Sequence, residues 1–204
     1  MLGAQGLRQR GFSLIELVVA MAVLVLLAAA LVPDMSTSIR SLAVRNAADS
    51  LQAGLQKARM EALRRNRAVG FWLVSANASG GLDSACAAAS SSASWIISVD
   101  DPAGKCDVAP SATAAPRLIE AASAGKANPT LSIAALQTDG STAATGVSFD
   151  GYGRVVQNGA SIATIDLEPV GFANGVHRLR VSVSPAGGIR MCDRDVTASD
   201  PRAC

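Results

Sequence analysis

One carboxylate stands alone in an apolar run. Glu16 is the only charged side chain in the stretch from Gly11 to Pro33, GFSLIELVVAMAVLVLLAAALVP. A carboxylate in such a run costs about 2.5–3.5 kcal/mol near a helix centre on insertion scales, and less near an end, so it implies a partner of opposite charge. Four cysteines, Cys86, Cys106, Cys192 and Cys204, all follow the run, without Cys-x-x-Cys spacing and with one histidine, His177, in the whole chain. That pattern is short of metal ligands and speaks for two disulfides in a domain outside the cytoplasm. Four cysteines allow three connectivities. The local pairs Cys86–Cys106 and Cys192–Cys204 are favoured, since each closes a loop rich in Gly, Ala, Ser and Pro. A hydrolytic triad would need His177, which opens the alternating segment Arg178–Val183 and reads as a solvent-facing strand histidine. The glycines of Asp150–Gly153 open no helix, so a phosphate-binding loop has no support. Trp72 and Trp95 read as core. No metal, no cofactor and no enzymatic activity is expected.

Periodicity gives the elements that must position these groups. The apolar run is about one bilayer crossing long at 1.5 Å rise per residue. Met1–Gly11 ahead of it is short and carries Arg8 and Arg10 without an acidic residue. A secretory signal places its small-residue cleavage site after the apolar region; here the small residue, Gly11, precedes it. Cleavage there would remove the leader 1–11 and leave Phe12 as the new N-terminus. From Asp34 the pattern turns amphipathic, with Ile39, Leu42, Ala43, Ala47, Leu51, Leu55, Ala58 and Ala62 at three- and four-residue steps. This half-helix, 34–68, holds 7 basic and 3 acidic residues. Pro33, inside the continuous helix, should kink it. From Val69 to the end the periodicity becomes that of short strands: Val69–Val74, Trp95–Val99, Leu118–Ala121, Thr130–Ala134, Val147–Phe149, Arg154–Val156, Ile162–Leu167, Arg178–Val183 and Gly188–Cys192, separated by turn formers.

The residues Gly11, Phe12, Ser13, Leu14, Ile15 and Glu16, with Pro33 closing the apolar half, resemble the type IV prepilin family. That resemblance implies cleavage after Gly11 by a prepilin peptidase, N-methylation of Phe12, and pairing of Glu16 with the terminal ammonium of a neighbouring subunit. The helix end LQKARMEALRRNRAV (Leu55–Val69), the Phe149–Gly153 turn and the Gly187–Cys192 segment are similar to the GspH/FimT-type minor pilins and pseudopilins. The implied fold is α+β and lollipop-shaped. A long N-terminal helix, its first half (12–33) transmembrane, packs on a C-terminal antiparallel β-domain (69–204).

Within that group three roles are open: a minor pilin that primes a type IV pilus, a type II secretion pseudopilin, and a DNA-binding pilin for natural transformation. The DNA-binding type carries Gly-Arg-x-Arg near its C-terminus, whose arginines would grip phosphates. This chain has Gly188-Ile189-Arg190, then Arg194 between Asp193 and Asp195, and each carboxylate would repel a phosphate and compete for Arg194. Loss of the leader leaves 16 basic against 16 acidic residues, and from Val69 onward 9 basic face 12 acidic. That balance disfavours non-specific nucleic-acid binding. The pilus role is favoured. The expected location is the inner membrane, single-pass with the β-domain in the periplasm, then the pilus or pseudopilus. The expected partners are prepilin peptidase and other minor and major pilins or pseudopilins, with DNA not favoured.

Overall fold

The computed structural model describes residues 12–125, 131–171 and 175–204, with the side chains of residues 28–37 outside that description. One helix, α1 (Leu14–Arg65), runs 52 residues and passes through Pro33 without a break in its secondary structure, about 78 Å at 1.5 Å per residue. It ends where Asn66 takes up the left-handed conformation, φ 48°. The Asn66 and Arg67 N–H groups then close on the carbonyls of Leu63 and Ala62 at 3.3 Å, satisfying acceptors that the helix end leaves free. Arg64 and Arg65 lie in the last turn, where the helix dipole favours cations.

Eight strands follow: β1 (Val69–Leu73), β2 (Trp95–Ser98), β3 (Leu118–Ala122), β4 (Leu131–Leu136), β5 (Gly146–Phe149), β6 (Thr164–Pro169), β7 (Leu179–Val183) and β8 (Ile189–Asp193). They form two four-stranded sheets, ordered β3-β2-β1-β5 and β4-β6-β7-β8, antiparallel at every pairing. Both sheets pack on the second half of α1, and the core gathers Leu51, Leu55, Phe71, Phe149, Ile165 and Leu167 from all three layers. Small residues on the inner face of the helix set the approach. A β-carbon at Gly54 would lie 2.8 Å from the Phe71 ring and 2.9 Å from that of Trp95.

Two expectations are corrected by packing. The buried face of α1 is Val44, Ala48, Leu51, Leu55, Ala58 and Ala62, while Ile39 and Leu42 are exposed. Among the described residues the helix first joins the buried core at Val44, and Ile39 and Leu42 are left uncovered. The segment 154–156 is also not a full strand. Val155 makes a single bridge to Phe149, because its N–H turns away to the Pro185 carbonyl, 3.0 Å off. Trp95 is buried, and its indole N–H donates to Ser50 Oγ at 3.1 Å. Trp72 is half-buried, and its N–H has no partner among the described residues. Among the described residues no helix is long and apolar enough to cross a membrane; the apolar run continues into residues 28–37, outside the described side chains. The kink expected at Pro33 falls in that same stretch.

Candidate functional site

The start of α1, up to Leu27, is bare. Every described large apolar side chain from Phe12 to Leu27 is exposed, from 49 % at Val23 to 83 % at Phe12. Among the described residues no part of the β-domain covers them, which leaves an apolar surface open to a partner. Glu16 sits in the first turn, where the free N–H groups of the helix favour a carboxylate. Ser13 caps that turn without a side-chain hydrogen bond. Among the described residues no cation pairs with Glu16. Gly11, and with it the cleavage site, lies outside the described residues.

The disulfides are Cys86–Cys106, whose partners are 20 positions apart in sequence, and Cys192–Cys204, 12 apart. The second fixes the chain end along β8. The Asp193 N–H donates to the Arg202 carbonyl at 2.7 Å and the Cys204 N–H to the Asp193 carbonyl at 3.3 Å. Closing a loop of that length removes unfolded-state entropy worth about 3 kcal/mol. Cys192→Ser with Cys204→Ser is therefore expected to lower the stability of the detergent-solubilised chain by about 3 kcal/mol, read as a lowered denaturant midpoint. An unchanged midpoint would show that the tail is held without the bond.

The two arginines considered as phosphate contacts are both engaged within the protein. Arg190 Nη2 donates to the Ala203 carbonyl at 2.7 Å. Arg194 Nη1 lies 2.5 Å from Glu168 Oε1 and 3.2 Å from Asp166 Oδ2. Asp166, only 8 % exposed, also takes a bidentate grip from Arg180, with Nε–Oδ1 at 2.5 Å and Nη2–Oδ2 at 2.8 Å. That hydrogen bond raises the pKa of the Arg180 guanidinium above its ordinary value. The competitors expected for Arg194 were its chain neighbours, yet Asp195 is taken by Arg178. The Arg178 backbone N–H and Nε both donate to it at 2.7 Å, and the Arg178 side chain holds the Asp195 carboxyl below the usual carboxylate range. The β6–β7 pairing sets Asp166 directly opposite Arg180. Sequence reasoning missed this network because its members lie far apart in the chain. Asp166→Ala would leave the Arg180 guanidinium without its carboxylate partner on the face of the sheet. With both arginines partly exposed we expect a loss of about 1–3 kcal/mol in a thermal or denaturant melt; a shift under 0.5 kcal/mol would assign the pair no structural weight.

His177 Nδ1 lies 2.8 Å from Asp193 Oδ2 and half its side chain is exposed; the residue lies two positions before β7 rather than in the strand, facing solvent but tethered. Donor atoms of His177, Asp193 and Asp195 fall within 4.8 Å of one another. Asp195 is committed to Arg178, and Asp193 accepts from His177 and from the Asp195 N–H at 2.9 Å. The cluster is satisfied by the protein itself.

Two turns meet above the helix end. Gly153 closes the turn begun at Asp150, and its carbonyl accepts from Arg59 Nε on α1 at 3.0 Å. Gly187, in the turn between β7 and β8, has φ +82°, and a β-carbon there would overlap that same Gly153 oxygen. The Asp150–Gly153 and Gly187–Cys192 landmarks are thus one structural node, clamped to the helix by Arg59.

A long helix with a bare apolar start and a first-turn carboxylate, laid on two antiparallel sheets, is the architecture of a type IV pilin-like subunit. A family model described as "Type II transport protein GspH" matches residues 47–187, and one described as "Prokaryotic N-terminal methylation motif" matches residues 6–32. The chain belongs to the GspH family of minor pilins and pseudopilins. Its structure is similar to that of the type IV minor pilin FimU of Pseudomonas aeruginosa in two crystal forms. The first is 21 % identical over 72 % of this chain and 87 % of that one, with a TM-score of 0.45. The second is 21 % identical over 72 % and 90 %, with a TM-score of 0.41. No curated protein matches the chain. Pilins and pseudopilins are structural proteins as a family.

Proposed function

We propose that the chain is a minor pilin that takes part in starting and assembling a type IV pilus, and that it works by assembly rather than by turnover. The observation that carries this reading is the uncovered apolar start of α1, up to Leu27, with Glu16 in its first turn. Prepilin peptidase removes residues 1–11, and Phe12 is N-methylated. The segment 12–33 anchors the subunit in the inner membrane, with residues 69–204 in the periplasm, and the same segment then leaves lipid for a bundle of pilin helices. There Glu16 pairs with a neighbour's terminal ammonium, which offsets part of the desolvation cost of both charges and fixes register.

A second reading, a type II secretion pseudopilin, is favoured by the description of the matching family. The DNA-uptake reading has less support, since Arg190 and Arg194 are occupied by Ala203, Asp166 and Glu168. A deletion strain scored in parallel for surface pili, type II substrate secretion and DNA uptake separates the three. Lost piliation with intact secretion supports the minor pilin, and intact pili with lost secretion moves the protein to the pseudopilin branch. Loss of DNA uptake alone would overturn both.

A further inference from the structure

The chain is 3 % aromatic, and in its β-domain Phe71 and Phe149 are fully buried, Trp95 is 4 % exposed and Trp72 is half-buried. Tyr152, the single tyrosine, is 76 % exposed. The turn that carries it is pinned on every side. The Asp150 carboxylate accepts the N–H groups of Tyr152 and Arg154, each at 2.9 Å, and these bonds, that of Arg154 foremost, keep its pKa below the ordinary value. Gly151 packs so closely on the helix end that a β-carbon would lie 2.7 Å from Asn66 Oδ1 and 2.9 Å from the Asn66 carbonyl carbon. Arg59 holds the Gly153 carbonyl from below. A fixed backbone therefore presents an aromatic ring to solvent, at little further entropic cost to a partner that binds it.

The surroundings define that partner. Leu63, 40 % exposed, lies against Gly153, and Met60, 62 % exposed, is one turn earlier on α1. The charges most open to solvent around them are cationic. The side chains of Arg64 and Arg154 are 67 % and 63 % exposed, whereas their carboxylate partners Glu61 and Asp150 are 14 % and 29 % exposed. The Arg154 guanidinium also stands 5.3 Å from the centre of the Tyr152 ring. Exposed Tyr, Leu and Met side chains flanked by arginines have the composition of an interface hot spot. We propose that Met60, Leu63 and Tyr152 are a docking surface for a neighbouring pilin-type subunit, which meets them with an apolar side chain flanked by carboxylates. Charge complementarity selects that occupant. The β-domain of this chain holds 12 acidic against 9 basic residues, so a domain of the same class offers acid to the arginine rim.

The inference rests on the filament reading above, and the test separates the two. In the full-length chain expressed in its own cells, Tyr152→Ala is expected to reduce incorporation into sheared filaments at least tenfold while leaving thermal unfolding unchanged, and Tyr152→Phe to restore most of it. A photo-crosslinking amino acid at position 152 is expected to give an adduct that mass spectrometry identifies as a pilin-type subunit. Normal incorporation of Tyr152→Ala, or adducts confined to lipid, nucleic acid or proteins of another class, would overturn the proposal. If Glu16→Ala fails to assemble while Tyr152→Ala assembles normally, the filament reading stands and the docking surface falls. Should neither substitution matter, the filament reading itself falls.

Discussion

Replacing Glu16 by alanine is expected to leave the precursor inserted and cleaved but to remove it from filaments. Insertion should not suffer, because the substitution makes an already apolar run more apolar. Cleavage should not suffer either, since the substituted side chain lies several residues beyond the Gly11–Phe12 bond. The loss comes at assembly. In a bundle of pilin helices the terminal ammonium of the neighbouring subunit would be buried without its counter-charge, and removing one partner of a buried pair costs about 3–5 kcal/mol. About 3 kcal/mol corresponds to roughly a hundredfold in an association constant. The ratio of sheared-filament to membrane-bound protein, read by quantitative immunoblot, should fall by about that factor. Glu16→Asp keeps the charge but shortens its reach, so it is expected to fall between the two. An alanine variant that incorporates normally would mean that Glu16 answers to something other than a neighbour's N-terminus.

How far the sequence speaks depends on whether a feature is local. The N-terminal methylation motif is legible because leader charge, Gly11, Phe12 and Glu16 follow one another within a few positions. The Phe149–Gly153 turn is legible for the same reason: glycine and aspartate report a backbone conformation on their own. That Gly187 rests on Gly153, and Gly153 on Arg59, is invisible from the chain, since 94 residues separate the two ends of the Arg59 hydrogen bond. The ionic network of Asp166, Arg180 and Arg194 is hidden likewise, because partners in a sheet are chosen by register and not by proximity in sequence. The phase of the helix stripe fails for a different reason. Alanines at 43, 47, 48, 58 and 62 mark more than one face, and only the packing of Val44, Leu51 and Leu55 decides which of them is inner.

The node where the two turns meet gives the largest structural effect expected from one methyl group. Gly187 and Gly159 both have positive φ, +82° and +75°. A side chain at either position pays the left-handed penalty, about 1–2 kcal/mol. At Gly159 nothing lies within 4 Å of an added β-carbon, so Gly159→Ala is expected to cost about 1 kcal/mol and no more. At Gly187 the β-carbon would overlap the Gly153 oxygen, which is backbone and cannot rotate away. Relief requires the Asp150–Gly153 turn or the β7–β8 turn to move. Moving the first turn loosens the Arg59 hydrogen bond to Gly153, itself worth about 1.5–3 kcal/mol with a charged donor, and moving the second strains the bond from the Val155 N–H to the Pro185 carbonyl. Gly187→Ala is therefore expected to cost about 3–5 kcal/mol, the range reached only when strain and a lost contact coincide. Denaturant unfolding at unchanged m-value would read the difference as a shift in midpoint. Equal costs for the two substitutions would show that φ alone sets the requirement for glycine, and that the contact between the two turns carries none of the stability.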